Sequence, residues 1–220
     1  MTLNKNYTFD NFFAKEDNII LQAAKFISKN QGTKYNPITF QGEYGTGKTH
    51  LVQAIGNELN NTGLVIYNTP YEFTNEFIGS IANNCREDYI NKYRNENLNA
   101  LIIDDIQFFR HSPAEELMYT CDSLYNKNVQ VIFTSDRPIS KIKTFSKRLI
   151  SRLNSGLVIN IPTYDLEEKY IILRNILHKK GISIDENIMD DIVNNTNNDI
   201  RLMISKILSI EFFENLSENI

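Results

Sequence analysis

A glycine-rich loop restricts the fold of this chain more than any other feature of its sequence. The loop, residues 42–49 (GEYGTGKT), matches the pattern GxxxxGK[ST]. A short β-prone run, Ile38–Gln41, precedes the loop, and a helical pattern continues over residues 50–59. Glycines in such a loop let backbone N–H groups surround phosphate oxygens at the N-terminus of the following helix. The sequence therefore predicts a strand, a phosphate-binding loop and a helix in direct succession.

The polar residues of this loop predict contacts with the phosphates of a nucleoside triphosphate. Lys48 is expected to neutralise the β- and γ-phosphates, and the Thr49 hydroxyl is expected to coordinate Mg²⁺. The structural alternative is a glycine-rich turn that merely closes a strand, but the strand before the loop and the helix after it argue against that alternative. The predicted nucleotide-binding set is Gly42, Gly45, Thr46, Gly47, Lys48, Thr49 and His50.

A second motif is an apolar run at residues 101–103 that ends in two carboxylates, Asp104 and Asp105. Asp104 is expected to hold Mg²⁺ through water. Asp105 is expected to polarise the attacking water, because alternation along a strand sends neighbouring side chains in different directions. An isolated Asp-Asp pair is more often a solvated strand end. This pair follows a phosphate-binding loop by one crossover, and the combination predicts an ATPase.

Strand and helix patterns alternate up to about residue 161. The strand patterns lie at residues 38–41, 64–68, 101–104, 129–134 and 157–161. Such alternation implies crossover connections, a parallel sheet and helices on both of its faces. After Pro162 only helical patterns follow, at residues 165–180, 185–194 and 199–213. We predict a three-layer α/β domain with a parallel five-stranded sheet at residues 1–163 and a small all-helical domain at residues 164–220.

Composition excludes several other classes of protein. Hydrophobic residues make up 41% of the 220 residues, which is ordinary for a folded globular chain. A net charge of −4 argues against a strongly basic surface that binds duplex DNA all over. Cys85 and Cys121 lack CxxC spacing and the histidines are scattered, so neither a disulfide framework nor a zinc site is indicated. The polar start and the lack of a membrane-spanning apolar run predict a cytoplasmic protein.

Seven short stretches between residues 7 and 138 resemble one family in detail. The resemblance as a whole runs from about residue 7 to residue 210. The stretches are YTFDNF at 7–12, YNP at 35–37, GKTH at 47–50, FTNEF at 73–77, KYR at 92–94, IDDIQF at 103–108 and SDRP at 135–138. Together they resemble the AAA+ module of the DnaA family of bacterial replication initiators. The resemblance implies a P-loop AAA+ fold with a helical lid and an ATP/ADP switch with Mg²⁺. Slow hydrolysis is expected because Asp105 is one methylene shorter than the glutamate common in fast AAA+ motors and because the arginine finger must come from a neighbouring subunit.

The resemblance assigns roles to four residues that spacing alone does not single out. Asp136 matches the sensor 1 position, which gives a catalytic set of Asp105, Asp136 and Arg152 with Arg152 as the arginine finger. Arg148 and Arg152 lie one helical turn apart, so both are expected to reach a neighbouring subunit. Arg201 matches sensor 2, which contacts the phosphates of the bound nucleotide. The structural alternatives are a strand-end turn for Asp136 and solvated helix surfaces for the arginines.

A helical segment at residues 71–94 lies between the second strand and the Asp-Asp motif. The resemblance implies that this segment engages single-stranded origin DNA, with Arg86, Lys92 and Arg94 as the phosphate contacts. Its apolar residues also predict a packed helix pair, and both readings can hold for one segment. The other implied partner is a further copy of the chain in an ATP-dependent head-to-tail assembly, while contacts with other replication proteins stay open.

The sequence also departs from the family pattern in three places. The loop at residues 108–113 is shorter than usual and lacks the usual run of charges, LMIS at 202–205 replaces a segment resembling ELEG, and Glu43 and Tyr44 stand where small or apolar residues are usual.

Three functions remain open from the sequence. No helix-turn-helix domain that reads duplex DNA follows within the 220 residues. The chain is therefore read either as the AAA+ module of an initiator or as a stand-alone regulator that acts on the initiator. A helicase loader is the third reading, and the stretches at 7–12 and 135–138 make it less favoured.

Overall fold

The computed structural model describes residues 2–12, 18–32, 35–197 and 199–218. The chain divides into two compact units. The first comprises residues 1–12, 19–42 and 48–161, and the second comprises residues 13–18, 43–47 and 162–220.

The first unit is built on one five-stranded sheet with the order β2-β3-β4-β1-β5. Its strands are β1 (Ile38–Gln41), β2 (Leu64–Asn68), β3 (Leu98–Ile103), β4 (Gln130–Ser135) and β5 (Leu157–Asn160). Every neighbouring pair is parallel, so the predicted parallel five-stranded sheet is confirmed. β3 begins three residues earlier than the sequence pattern indicated, because Leu98 already pairs with Leu64 before a register shift. It ends at Ile103, so Asp104 follows the strand rather than closing it.

Helices cover the sheet and connect its strands. In this unit they are α1 (Ile19–Lys29), α2 (Lys48–Asn60), α3 (Pro70–Ala82), α4 (Arg86–Tyr93), α5 (His111–Asn126) and α6 (Lys147–Asn154). The strands β3 and β4 are almost entirely buried, as expected of central strands with helices on both faces.

An aromatic cluster fixes α3 and α4 to the rest of the first unit. The Phe73 ring centroid lies 5.0 Å from that of Tyr93 and 5.6 Å from that of Phe109. Both contacts are edge-to-face, the geometry that the ring quadrupoles favour. Phe73 and Tyr93 are fully buried. The two helices of the predicted insert therefore pack as part of the core.

The second unit contains the helices α7 (Leu166–Lys180), α8 (Glu186–Asn195) and α9 (Ile200–Glu218). Asp165 caps α7 in a capping box with Glu168, and Gly181 ends it with φ 69°, a left-handed conformation that favours glycine. Leu173, Val193 and Ile207 are among the residues at the centre of this unit's own core. α9 extends beyond the residue 213 at which the sequence pattern stopped.

None of the helices formed by the described residues combines the length and the apolar character that crossing a bilayer requires.

Candidate nucleotide-binding site

The carboxyl ends of three neighbouring strands carry most of the predicted catalytic residues of the first unit. β3, β4 and β1 lie side by side and run in the same direction. Asp104 and Asp105 follow β3, Asp136 follows β4, and Lys48 begins α2 after the loop that leaves β1. In open parallel sheets ligands bind at this edge. Thr134 bonds to both Asp104 and Asp105, and Gln107 bonds to both Asp105 and Asp136, so the three residues share partners at this edge. The charge of Lys48 also acts on the pKa of the Asp105 carboxyl and lowers it.

Two glycines determine the course of the loop before α2. Gly45 and Gly47 have φ values of 80° and 88°, a region in which any side chain would be strained. The Thr46 hydroxyl donates to the Glu43 carbonyl at 2.9 Å, and the Tyr164 hydroxyl donates to the Thr46 carbonyl at 2.9 Å. These bonds hold the middle of the loop in one conformation. Tyr164 was not predicted from the sequence.

Lys48 is buried, with 5% of its surface exposed. Its ammonium donates to the carbonyl of Gly42, the first residue of the glycine motif, at 2.8 Å. A buried ammonium needs an anionic or strongly polar partner, and the phosphates of a nucleotide are such partners. Thr49 is half-buried in the first turn of α2.

Asp104 accepts one hydrogen bond on each carboxylate oxygen. Tyr67, at the end of β2, donates its hydroxyl to Oδ2 at 2.8 Å, and Thr134, near the end of β4, donates to Oδ1. The two strands that flank β3 thus supply one hydroxyl each. Burial raises the pKa of the Tyr67 hydroxyl above its ordinary value, and the neighbouring Asp104 charge raises it further. Tyr67 is therefore a hydrogen-bond donor at neutral pH.

Asp105 has a left-handed backbone, with φ 60° and ψ 52°. Its N–H donates to Thr134 Oγ1 at 2.7 Å, and its Oδ1 accepts from Gln107 Nε2 at 3.0 Å. The two carboxylates contact different partners because the chain turns at Asp105 after β3 has ended, and not because of strand alternation as the sequence suggested. Burial raises the pKa of the Asp105 carboxyl, and so do the charges of Asp104 and Asp136, while Gln107 and Lys48 act in the opposite direction.

Asp136 is linked to Asp105 through the same glutamine amide. The Asp136 N–H donates to Gln107 Oε1 at 3.3 Å, while Gln107 Nε2 donates to Asp105. The Arg137 guanidinium forms two bonds with the Asp136 carboxylate, at 2.6 and 2.7 Å. One amide therefore connects the Asp105 carboxylate to the backbone of Asp136.

The arginines of α6 contact α5. Arg152 Nε lies 2.8 Å from Asp122 Oδ1 in an ion pair without hydrogen-bond geometry, and the Arg152 guanidinium carbon lies 4.4 Å from the centre of the Tyr125 ring. Arg148 lies 3.5 Å from the same carboxylate. The predicted intersubunit pair thus shares one acidic partner within its own unit.

Arg201 lies at the start of α9, where Asp199 holds its guanidinium with two bonds of 3.1 Å. Burial by itself would raise the pKa of Asp199, but hydrogen bonds from the Arg201 side chain and backbone hold that pKa below its ordinary value. In the first unit, the His50 ring contacts the Thr8 carbonyl at 2.9 Å and packs against Tyr7. His50 thereby binds the N-terminal segment to α2.

The three cations predicted to contact DNA also make contacts within the protein. Arg86 and Arg94, at the two ends of α4, both pair with the buried carboxylate of Glu116 on α5; the distance to Arg86 is 3.0 Å. Lys92 pairs with Glu76 at 2.5 Å and remains about half exposed.

A divalent cation fits the oxygen groups of this edge if a nucleotide supplies further ligands. Among the described residues, no cluster of three or more His, Cys, Asp or Glu side chains could hold a metal alone. Mg²⁺ prefers oxygen ligands, keeps several waters and is commonly held by one or two protein groups together with phosphate oxygens. Thr49 and Asp104 are the protein groups that fit such a site.

A comparison with models of known protein families identifies the family of this chain. The family model described as the bacterial DnaA ATPase domain matches residues 3–160. The chain belongs to this family. The DnaA replication initiator of Lactobacillus johnsonii is 38% identical over 217 residues, covering 96% of this chain and 47% of the relative. The chain spans about half the length of the curated DnaA relatives it matches, among them DnaA of Treponema pallidum at 37% identity, 99% of this chain and 49% of the relative.

Solved DnaA structures share the fold over nearly the whole chain. Domain III of Thermotoga maritima DnaA matches with a TM-score of 0.88 and 31% identity, covering 99% of this chain and 92% of that one. A DnaA bound to AMPPCP and single-stranded DNA matches with a TM-score of 0.89 and 30% identity, covering 100% and 69%. The DnaC helicase loader matches with a TM-score of 0.61 and 17% identity, covering 72% and 99%, which shows a common fold alone.

Proposed function

We propose that the chain is the ATP-binding switch module of a DnaA-type replication initiator, binding ATP or ADP with Mg²⁺ and hydrolysing ATP slowly. The observation that carries this proposal is the group formed by buried Lys48 and three carboxylates at the carboxyl edge of the sheet. Membership of the DnaA ATPase-domain family and the similarity to a DnaA bound to AMPPCP support it.

The residues of the loop bind the nucleotide in this proposal. Backbone N–H groups of the glycine-rich segment and the Lys48 ammonium bind phosphate oxygens at the N-terminus of α2. Thr49 and Asp104 hold Mg²⁺, which neutralises charge on those oxygens. Arg201 exchanges its contact with Asp199 for the phosphates, because an arginine fork binds phosphate as it binds carboxylate.

Hydrolysis depends on Asp105. Its carboxylate accepts a hydrogen bond from the attacking water and orients that water, while Gln107 holds the carboxylate in place. Asp136 senses the γ-phosphate, and its position is coupled to Asp105 through the Gln107 amide. Turnover is slow because the short aspartate is a weak substitute for glutamate and because Arg152 has to come from another copy of the chain.

Assembly and DNA binding complete the proposal. With ATP bound, copies of the chain associate head to tail, and Arg148 and Arg152 exchange Asp122 for a neighbour's nucleotide. Single-stranded DNA contacts α4 through Arg86, Lys92 and Arg94. Two of these cations already neutralise Glu116, so the DNA phosphates would share them with that carboxylate. In functional terms, residues 1–163 form the nucleotide-binding domain and residues 164–220 form its lid.

Substitution of Lys48 tests nucleotide binding. Lys48→Ala should weaken the binding of a fluorescent ATP analogue by at least about thirtyfold, because truncating a charge that is paired in a buried complex costs roughly 2 kcal/mol or more. Lys25→Ala on the exposed surface of α1 is the matched control and should bind as the parent does. Equal affinities of Lys48→Ala and the parent would show that the loop does not bind nucleotide.

A further inference from the structure

Asp104 lies at the end of a chain of hydrogen bonds that begins at the protein's N-terminal segment. The Asn4 N–H donates to Gln53 Oε1 at 2.8 Å, Gln53 Nε2 donates to the Tyr67 hydroxyl at 3.1 Å, and Tyr67 donates to Asp104 Oδ2 at 2.8 Å. We call Gln53 and Tyr67 the relay. Neither residue belongs to the loop or to the Asp-Asp motif.

The direction of every bond in the relay is determined by chemistry. A backbone N–H can only donate, so the oxygen of the Gln53 amide faces Asn4 and its NH₂ group faces Tyr67. The Tyr67 oxygen accepts that bond, and its single proton is left for Asp104, whose carboxylate accepts. The Asn4 carbonyl in turn accepts from Asn57 Nδ2 at 2.9 Å, which holds the start of the relay on α2.

A second path with the same logic reaches the other carboxylate oxygen. The Asp105 N–H donates to Thr134 Oγ1, and the Thr134 hydroxyl donates to Asp104 Oδ1. Each path begins at a backbone N–H and ends at a hydroxyl that donates a hydrogen bond to one oxygen of Asp104. Each carboxylate oxygen has about two lone pairs, so one on each oxygen remains for another donor.

Burial raises the free-energy cost of losing any of these hydrogen bonds. Gln53, Tyr67 and Asp104 have 6%, 4% and 4% of their surfaces exposed, and water cannot easily replace a lost partner at such positions. A buried donor that loses its acceptor, or an acceptor that loses its donor, pays its full desolvation penalty. The relay therefore holds the Asp104 carboxylate in one orientation.

We propose that Tyr67 and Gln53 are positioning residues that orient Asp104 toward Mg²⁺ bound with the nucleotide. Neither belongs to the predicted nucleotide-binding set, and in this proposal they act by presenting the remaining lone pairs of Asp104 to the cation and its water ligands. This inference rests on the proposed nucleotide-binding function. Groups that hold a metal ligand from behind typically change metal affinity by about 10–100-fold when they are removed.

The test substitutes the relay and measures Mg²⁺ affinity separately from nucleotide affinity. Tyr67→Phe keeps the ring and removes the proton donor to Asp104. We expect it to weaken Mg²⁺ binding by about tenfold, titrated in the presence of a saturating fluorescent ATP analogue. Its affinity for the analogue in EDTA should equal that of the parent. Tyr119→Phe removes the hydroxyl of an exposed tyrosine on α5 and is the matched control.

Gln53→Met tests the direction of the relay. It removes the donor to Tyr67 but leaves the Tyr67 proton available to Asp104, so its loss of Mg²⁺ affinity should lie between those of Tyr119→Phe and Tyr67→Phe. Thermal unfolding without ligands verifies that each variant folds and reports any purely structural effect. If Tyr67→Phe and Gln53→Met melt at lower temperatures but bind Mg²⁺ as the parent does, the relay only stabilises the fold and the inference is wrong.

Binding measurements on the parent chain distinguish a failure of this inference from a failure of the proposed function. A parent that does not bind the ATP analogue in either EDTA or Mg²⁺ overturns the proposed function. A parent whose analogue binding is strengthened by Mg²⁺, together with unchanged Mg²⁺ affinity in Tyr67→Phe, overturns the relay alone.

Discussion

Asp105 is unfavourable to the folded protein in two ways. Its backbone is left-handed, a conformation that costs free energy for any residue with a Cβ, although aspartate and asparagine adopt it more often than most. Burial also raises the pKa of its carboxyl, because the charged form is poorly solvated. Unfavourable features of this kind concentrate at functional sites. Gln107 offsets part of the effect by donating to the carboxylate. These features are consistent with the catalytic role proposed for Asp105 and are not explained by fold stability.

We predict that Asp105→Asn separates hydrolysis from stability. Hydrolysis should fall on the order of 10²-fold or more, because an amide cannot accept a proton from the attacking water. The thermal midpoint without ligands should rise at neutral pH, because asparagine tolerates the left-handed conformation and carries no buried charge. Phosphate release and calorimetry measure the two effects. A variant that hydrolyses ATP at the parental rate would remove Asp105 from the catalytic set.

At the scale of single elements, α4 is held by one carboxylate on another helix. Glu116 has 3% of its side chain exposed and pairs with Arg86 and Arg94, which lie at opposite ends of α4. The Arg86 guanidinium also lies 5.2 Å from the centre of the Phe77 ring on α3. These contacts fix the helix that is proposed to contact DNA.

Glu116→Gln should lower the free energy of unfolding by about 3 kcal/mol. That is the lower end of the range for breaking a buried ion pair, and it applies because both arginines are partly exposed. Glu115→Gln changes the preceding, exposed residue of α5 and is the matched control. Urea denaturation gives both values. Equal stability of the two variants would mean that the ion pairs with Glu116 do not hold α4 in place.

At the scale of the whole molecule, the proposed assembly depends on α6. ATP, but not ADP, should drive head-to-tail association, and Arg152→Ala should abolish it while leaving nucleotide affinity unchanged, because Arg152 acts on a neighbour's nucleotide. Arg174→Ala, an exposed arginine of α7, is the control. Sedimentation with ATP, with ADP and with single-stranded DNA measures the association of the parent and of both variants. A parent that stays monomeric in all three conditions would favour a regulator that acts on the initiator.

Much of the fold was predictable because its signals are local in the sequence. The five strands, the loop that ends in Lys48 and the Asp-Asp pair each occupy a short continuous stretch, and the alternation of strands and helices implies a parallel sheet. Element ends were less predictable. The pattern missed the first residues of β3, where Leu98 pairs with Leu64, because pairing partners lie far away in the chain.

The contacts of the site's side chains were decided by tertiary structure. Tyr67 and Thr134 reach Asp104 across 37 and 30 residues of sequence because β2 and β4 flank β3 in the sheet, and the spacing of these residues along the chain does not reveal that order. The same holds for Glu116, which pairs with Arg86 and Arg94 although both were expected to face DNA. The sequence by itself determined which groups can donate, accept or carry charge. Only the folded chain determined their partners, because hydrogen bonds and ion pairs depend on distances that packing sets.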